Sequence, residues 1–133
     1  MNALESIRRK LPSYADYRDQ DARHLVDKQV RAYVGEALAR LRERVRLDDG
    51  LAEQLDRVLI RCEFSDQRLI RAVDHGTFTD NQIVDRIHDM DGALIEAADR
   101  ADSVDAAQLP AYLGELASLF EARFGAISTA PLR

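Results

Sequence analysis

The stretch Ala22–Val45, ARHLVDKQVRAYVGEALARLRERV, decides the fold. Its apolar residues Val26, Val30, Tyr33/Val34, Ala37, Leu41 and Val45 recur at steps of three and four, the spacing that gathers side chains on one face of a helix. The pattern runs for about six helical turns, far longer than a strand. Asp48, Asp49 and Gly50 follow as a stop, Gly50 being suited to the left-handed conformation after a helix end.

The same periodicity continues along the chain. A second helix is expected from Leu51 to Gly76, with Leu55, Val58/Leu59, Cys62, Leu69 and Val73 facing inward. Asp66 falls inside that stripe, so this helix either continues with a carboxylate at the core's edge or breaks near Glu63–Asp66 with a new cap at Ser65 or Asp66; continuity is the reading adopted. Thr79, with Gln82 three residues on, has capping-box spacing and opens a third helix bearing Ile83, Ile87, Met90, Leu94, Ala97/Ala98 and Ala101. Pro110, tolerated in a first helical turn, marks the start of a fourth, with Tyr112, Leu113, Leu116, Leu119, Phe120, Phe124 and Ile127 inward. Asn2 and Glu5 predict a short N-terminal helix that Pro12 ends near Lys10.

The expected architecture is therefore all-α: an up-down antiparallel bundle of four main helices in a single domain, residues 1–133. Residues 1–21 form an N-terminal arm and 128–133 a fraying tail. Six glycines and three prolines are too few for the turns of an all-β chain of 133 residues. Gly35, Gly92 and Gly114 interrupt predicted helices, where close helix crossings explain them, although the helical wheel turns Gly92 and Gly114 outward.

One cysteine, Cys62, makes no internal disulfide, and no apolar run approaches the ~20 residues of a membrane span. The N-terminus lacks the apolar region of a signal peptide, so a cytoplasmic location is expected. The net charge of -5 argues against general capture of nucleic acid. Arg40, Arg42, Arg44 and Arg46 alternate, and alternating residues diverge around a helix. Charge is nonetheless uneven: residues 1–46 hold 11 Lys/Arg against 7 Asp/Glu, while residues 74–105 hold two arginines against nine acids. Basic and acidic helices packed side by side would account for this.

Motifs that carry chemistry are sparse. No phosphate-binding glycine loop, nucleophile elbow or His-Glu-x-x-His helix occurs, and no cofactor is implied. Asp21/His24 and Asp85/His88 have the i, i+3 spacing that lets two side chains share a helix face and bind one divalent ion. Both pairs use the shorter Asp where carboxylate-bridged di-iron bundles use Glu, and the blander expectation is solvated side chains with local ion pairs. Asp66 and Asp91 lie in or beside apolar stripes and Arg123 flanks one, so a buried pairing of Arg123, Arg61, Arg68 or Arg71 with one of these acids is expected.

Ile60 and Phe64 form an outward apolar pair that needs cover, from the N-terminal segment with Ile7, Leu11, Tyr14 and Tyr17, from another subunit or from a foreign partner. The functional expectation is a non-enzymatic helical interaction module, an adaptor or small regulatory subunit, with protein partners or self-association and no membrane role. An acidic surface of Asp85, Asp89, Glu96 and Asp99 would steer a basic partner, and Ile60 and Phe64 would supply contact energy. The competing expectation is a metal- or small-ligand-binding bundle using the Asp/His pairs or the group Asp66, Asp91 and Arg123.

Overall fold

Apolar stripes at helical spacing must be buried against one another, and the described residues do this with helices alone. The computed structural model describes residues 3–14, 23–63 and 81–128. Among these are five α-helices, α1 (Ala3–Lys10), α2 (Arg23–Arg44), α3 (Asp49–Glu63), α4 (Asn81–Asp99) and α5 (Leu109–Ser128), with a 3-10 turn at Arg100–Ser103 and no strand. Helix α2 packs on α3 and α4, and α5 packs on the same two, so these four helices close into a ring while α1 lies against α4.

The core fills that ring. Val26, Val30, Val34, Ala37, Leu38, Leu41 and Val45 come from the α2 stretch, Leu55, Val58 and Cys62 from α3, and Val84, Ile87, Leu94, Ala97 and Ala98 from α4. Helix α5 adds Leu109, Leu113, Leu116 and Phe120. Burying a leucine or isoleucine of this kind stabilises by about 1.5–3 kcal/mol.

Helix ends are set by side chains more than by glycine. Asp48 caps α3: the Leu51 N–H donates to its Oδ1 at 2.8 Å and the Ala52 N–H to its carbonyl at 2.9 Å. This corrects the reading of Gly50, which lies in the first turn of α3 and not in a left-handed stop after α2. A reciprocal box precedes α5, with the Gln108 N–H donating to Asp105 Oδ1 at 2.9 Å and the Asp105 N–H donating to Gln108 Oε1 at 3.1 Å. The segment containing Ser65 and the Thr79 cap lies outside the described residues, as does the tail beyond Ser128.

The described part of the N-terminal segment, residues 3–14, packs on the other helices. Ile7 and Tyr14 are buried, and Ile7 sits where a side chain on Gly92 would point, so Gly92 faces α1 and is not turned to open solvent. The wheel misplaced it because a helix packed on three neighbours buries more than one stripe. Gly35 marks a close crossing: a Cβ there would lie 3.4 Å from the Cβ of Cys62. Gly114 has nothing within 4 Å of a Cβ position. Replacing Gly114 by Ala should therefore stabilise the fold by about 0.5–1 kcal/mol, visible as a rise of a few degrees in melting temperature; an unchanged or lower value would show that the α5 surface at this point is occupied.

Candidate functional site

The most unusual feature inside the ring is electrical. Asp27 and Arg31 of α2, Asp91 of α4 and Arg123 of α5 are all buried. Helical geometry puts them there. Asp27 precedes Val34 by seven residues and Leu41 by fourteen, Asp91 stands seven before Ala98 and four after Ile87, and Arg123 stands seven after Leu116, so each shares its azimuth with core residues.

Arg123 joins the two acids. Its Nε donates to Asp91 Oδ1 at 2.7 Å and its Nη1 to Asp27 Oδ1 at 2.6 Å. The second oxygen of Asp27 accepts from Arg31 Nε at 2.9 Å, and that of Asp91 accepts from the Tyr14 hydroxyl at 2.7 Å. Arg31 Nη1 continues the chain to the Cys62 carbonyl at 3.0 Å. That carbonyl lies near the end of the described part of α3, so the hydrogen bond ties α2 to α3. Two carboxylates thus meet two guanidinium groups, and all four carboxylate oxygens are engaged.

Desolvating these charges is costly, and the attraction offsets it only because the geometry is complete. Such a network specifies which helix faces meet, since any slip of register strands a charge. The Asp91–Arg123 pairing is the one expected from the sequence; Asp27, Arg31 and the Tyr14 hydrogen bond were not foreseen. The available signal was Asp27 at the centre of its own stripe, with Arg31 four residues on.

The Asp/His candidates separate. Asp85 is exposed, whereas His88 is only 4% exposed, its ring edge-to-face with Tyr14 at 6.0 Å between centroids. This corrects the expectation that His88 is solvated: the turn after α1 covers that side of α4. Asp21 lies outside the described residues, and for His24 only its place in α2 is described. Among the described residues no group of three or more His, Cys, Asp or Glu is arranged to hold a metal.

The acidic face of α4 is partly consumed within the chain. Asp85, Asp89, Glu96 and Asp99 are exposed, but Asp99 meets Lys10 at 3.4 Å and accepts from the Tyr33 hydroxyl. Glu96 and Asp99 line a cleft of about 280 Å³ with Arg9 and Lys10 of α1. The arginines of α2 diverge: Arg40 meets Asp102 at 3.4 Å, Arg42 pairs with Asp56, and Arg44 Nη2 donates to the carbonyls of Ala101 and Val104 at 2.8 and 2.6 Å. Basic and acidic segments are neighbours in the fold.

A larger cleft, about 480 Å³, runs between α2 and α3. Ala32, Gly35, Ala39, Leu59 and Cys62 give it apolar walls, and Arg31, Glu36, Arg42, Glu43 and Glu63 complete its lining. Burial pushes the Cys62 thiol up to about 12, outweighing the nearby Arg31 guanidinium, so the thiol is uncharged packing. Neither cleft is lined by Asp27, Asp91 or Arg123. Ile60 is 55% exposed; cover from the N-terminal segment was one of the alternatives the sequence left open. That segment instead buries Ile7 and Tyr14 against the α4 side; Phe64 and Asp66 lie outside the described residues.

No known protein family, curated protein or solved structure matches the chain.

Two outcomes test the site. Arg123→Met should cost about 3–5 kcal/mol, because it leaves two buried carboxylates short of a partner, whereas Tyr14→Phe should cost about 1–3 kcal/mol; equal, small losses in chemical denaturation would show the network to be open to water. The second concerns pH. Burial, with Asp99 adding to it, pushes the Tyr33 phenol up to about 12, and burial does the same for Tyr112, whose hydroxyl donates to the Ala97 carbonyl at 2.6 Å. Unfolded tyrosines ionise near 10, so the stability these two contribute is intact below pH 10 and is lost as pH rises towards 12. Tyrosinate absorbance should show a step near 12 with unfolding close behind; ionisation of all four tyrosines in one step near 10, with the fold intact, contradicts the assignment.

Proposed function

We propose that the chain is a non-enzymatic helical interaction module, an adaptor or small regulatory subunit, acting in the cytoplasm through the face formed by α2 and α3. In this reading the helices run up-down and antiparallel, and the buried ion network keeps their faces in register so that the outer surface has one shape. The observation that carries it is the apolar-walled α2/α3 cleft together with Leu25 and Ile60, large apolar side chains each 55% exposed. Leu25 shares its azimuth with Ala32 and Ala39 at seven-residue spacing, which extends the apolar surface two turns beyond the cleft. Exposed apolar surface joined to a cleft is the usual mark of a binding face.

In this reading the buried charges serve the fold: Asp27 and Asp91 are held by Arg123, Arg31 and the Tyr14 hydroxyl. Self-association through the same face is the narrower form of the proposal.

A photoreactive residue placed at Ile60 should give discrete covalent adducts with a protein partner or a second copy in cells, while the same residue at Ala106, exposed in the turn before α5, gives none. Ile60→Asp should remove binding with less than about 0.5 kcal/mol change in stability, as for other exposed positions. Absence of any adduct specific to position 60 sinks the proposal.

A further inference from the structure

This inference rests on the reading of α2 and α3 as the binding face and names its occupant. We infer that the α2/α3 cleft receives a basic amphipathic helix.

The cleft is lined by charges of both signs, and those of one sign are already used. Of its two cations, Arg31 is committed to Asp27 and the Cys62 carbonyl, and Arg42 is paired with Asp56. Its three acids, Glu36, Glu43 and Glu63, are exposed and make no ion pair among the described residues. The electrostatic remainder on the rim is therefore negative, while the walls between, Ala32, Gly35, Ala39, Leu59 and Cys62, are apolar. An occupant that satisfies both must present apolar side chains inward and Lys or Arg along its edges. That is the profile of a basic amphipathic helix laid in a groove.

Dimensions fit the same class. From Arg31 to Glu43 the α2 wall runs about 18 Å at 1.5 Å per residue, three to four helical turns, long enough for anchors at i, i+4 and i+7. A volume of about 480 Å³ lies within the range of sites that seat a few side chains. The wall residues on α2 are small, which lets a helix axis approach closely. Gly35, opposite Cys62, keeps α2 and α3 close and the cleft shallow. Leu25 stands beyond the cleft on α2 and adds apolar contact to an occupant longer than the cleft, while exposed Ile60 lies beside Leu59 on the outer side of the α3 wall.

The test uses a labelled 18-residue helical peptide with Leu at the inward positions and Lys at the flanks, and a matched peptide with Glu at the flanks, measured by fluorescence anisotropy. The Lys peptide should bind at least tenfold more tightly than the Glu peptide and weaken as salt rises. Glu36→Lys with Glu43→Lys should lower Lys-peptide affinity five- to tenfold and raise that of the Glu peptide, a reversal that mere loss of stability does not produce. Asp85→Lys with Asp89→Lys on α4 should leave both affinities unchanged. The inference is overturned if the α4 reversal weakens the Lys peptide as much as the α2 reversal does, or if neither peptide binds. Adducts at Ile60 with neither peptide binding would remove the basic helix and keep the interaction module; no adducts and no binding would remove both.

Discussion

The fold turns on one guanidinium. Arg123 of α5 holds Asp91 of α4 with one nitrogen and Asp27 of α2 with another, and the bonds radiate from there to Arg31, the α3 carbonyl of Cys62 and the Tyr14 hydroxyl after α1. Every helix of the described residues is reached within three hydrogen bonds of Arg123, directly or through the turn that follows it. Apolar packing supplies most of the favourable energy, but it tolerates sliding, because one leucine against another is much like the next. Four charges in a dry interior do not tolerate it: a shift of one turn leaves a carboxylate without its cation, at a cost of several kcal/mol.

The network also dictates how the ends of the chain are used. The segment after α1 returns Tyr14 over α4 to donate to the second oxygen of Asp91, so the N-terminal segment belongs to the core's electrostatics as well as to its packing. The same return covers His88 and brings Ile7 against Gly92. Lys10 at the end of α1 then meets Asp99, and the basic first third of the chain is laid beside the acidic α4 and the turn after it. The charge imbalance along the sequence becomes a set of local contacts in space.

Period and punctuation made the helices legible in the sequence: α2, the first part of α3, and α5 follow directly from apolar steps of three and four, and Pro12 and Pro110 stand where helices end and begin. The pairing of Asp91 with Arg123 was legible because each is a charge on an apolar face, and the core offers few alternatives. Asp27 and Arg31 were harder to see for a specific reason. An i, i+4 acid–base pair on a helix is usually a solvated surface pair, and only the third partner, 96 residues away, makes this one internal. His88 and Gly92 were misplaced because a wheel assumes one buried face, whereas α4 has neighbours on three sides. The Asp48 and Asp105 caps carried the right residue types, but Gly50 offered a competing stop within two positions of the first.

The division between interior and surface follows from this arrangement. Inside, every carboxylate oxygen of the network accepts a hydrogen bond from a neighbouring side chain, so the buried charges fix shape. Outside, α2 shows two different edges: the one towards α4 is closed by Tyr33, Arg40 and Arg44, while the one towards α3 keeps small side chains and acids without a described counter-ion. A helix that buries one face in a rigid register presents its opposite face rigidly as well, which lowers the entropy lost when that face is bound. The ion network and the α2/α3 cleft meet at Arg31 and Cys62: the Arg31 guanidinium is drawn inward to Asp27 and the Cys62 carbonyl and so is withheld from the cleft's acidic rim. The interior thereby sets the sign of the surface.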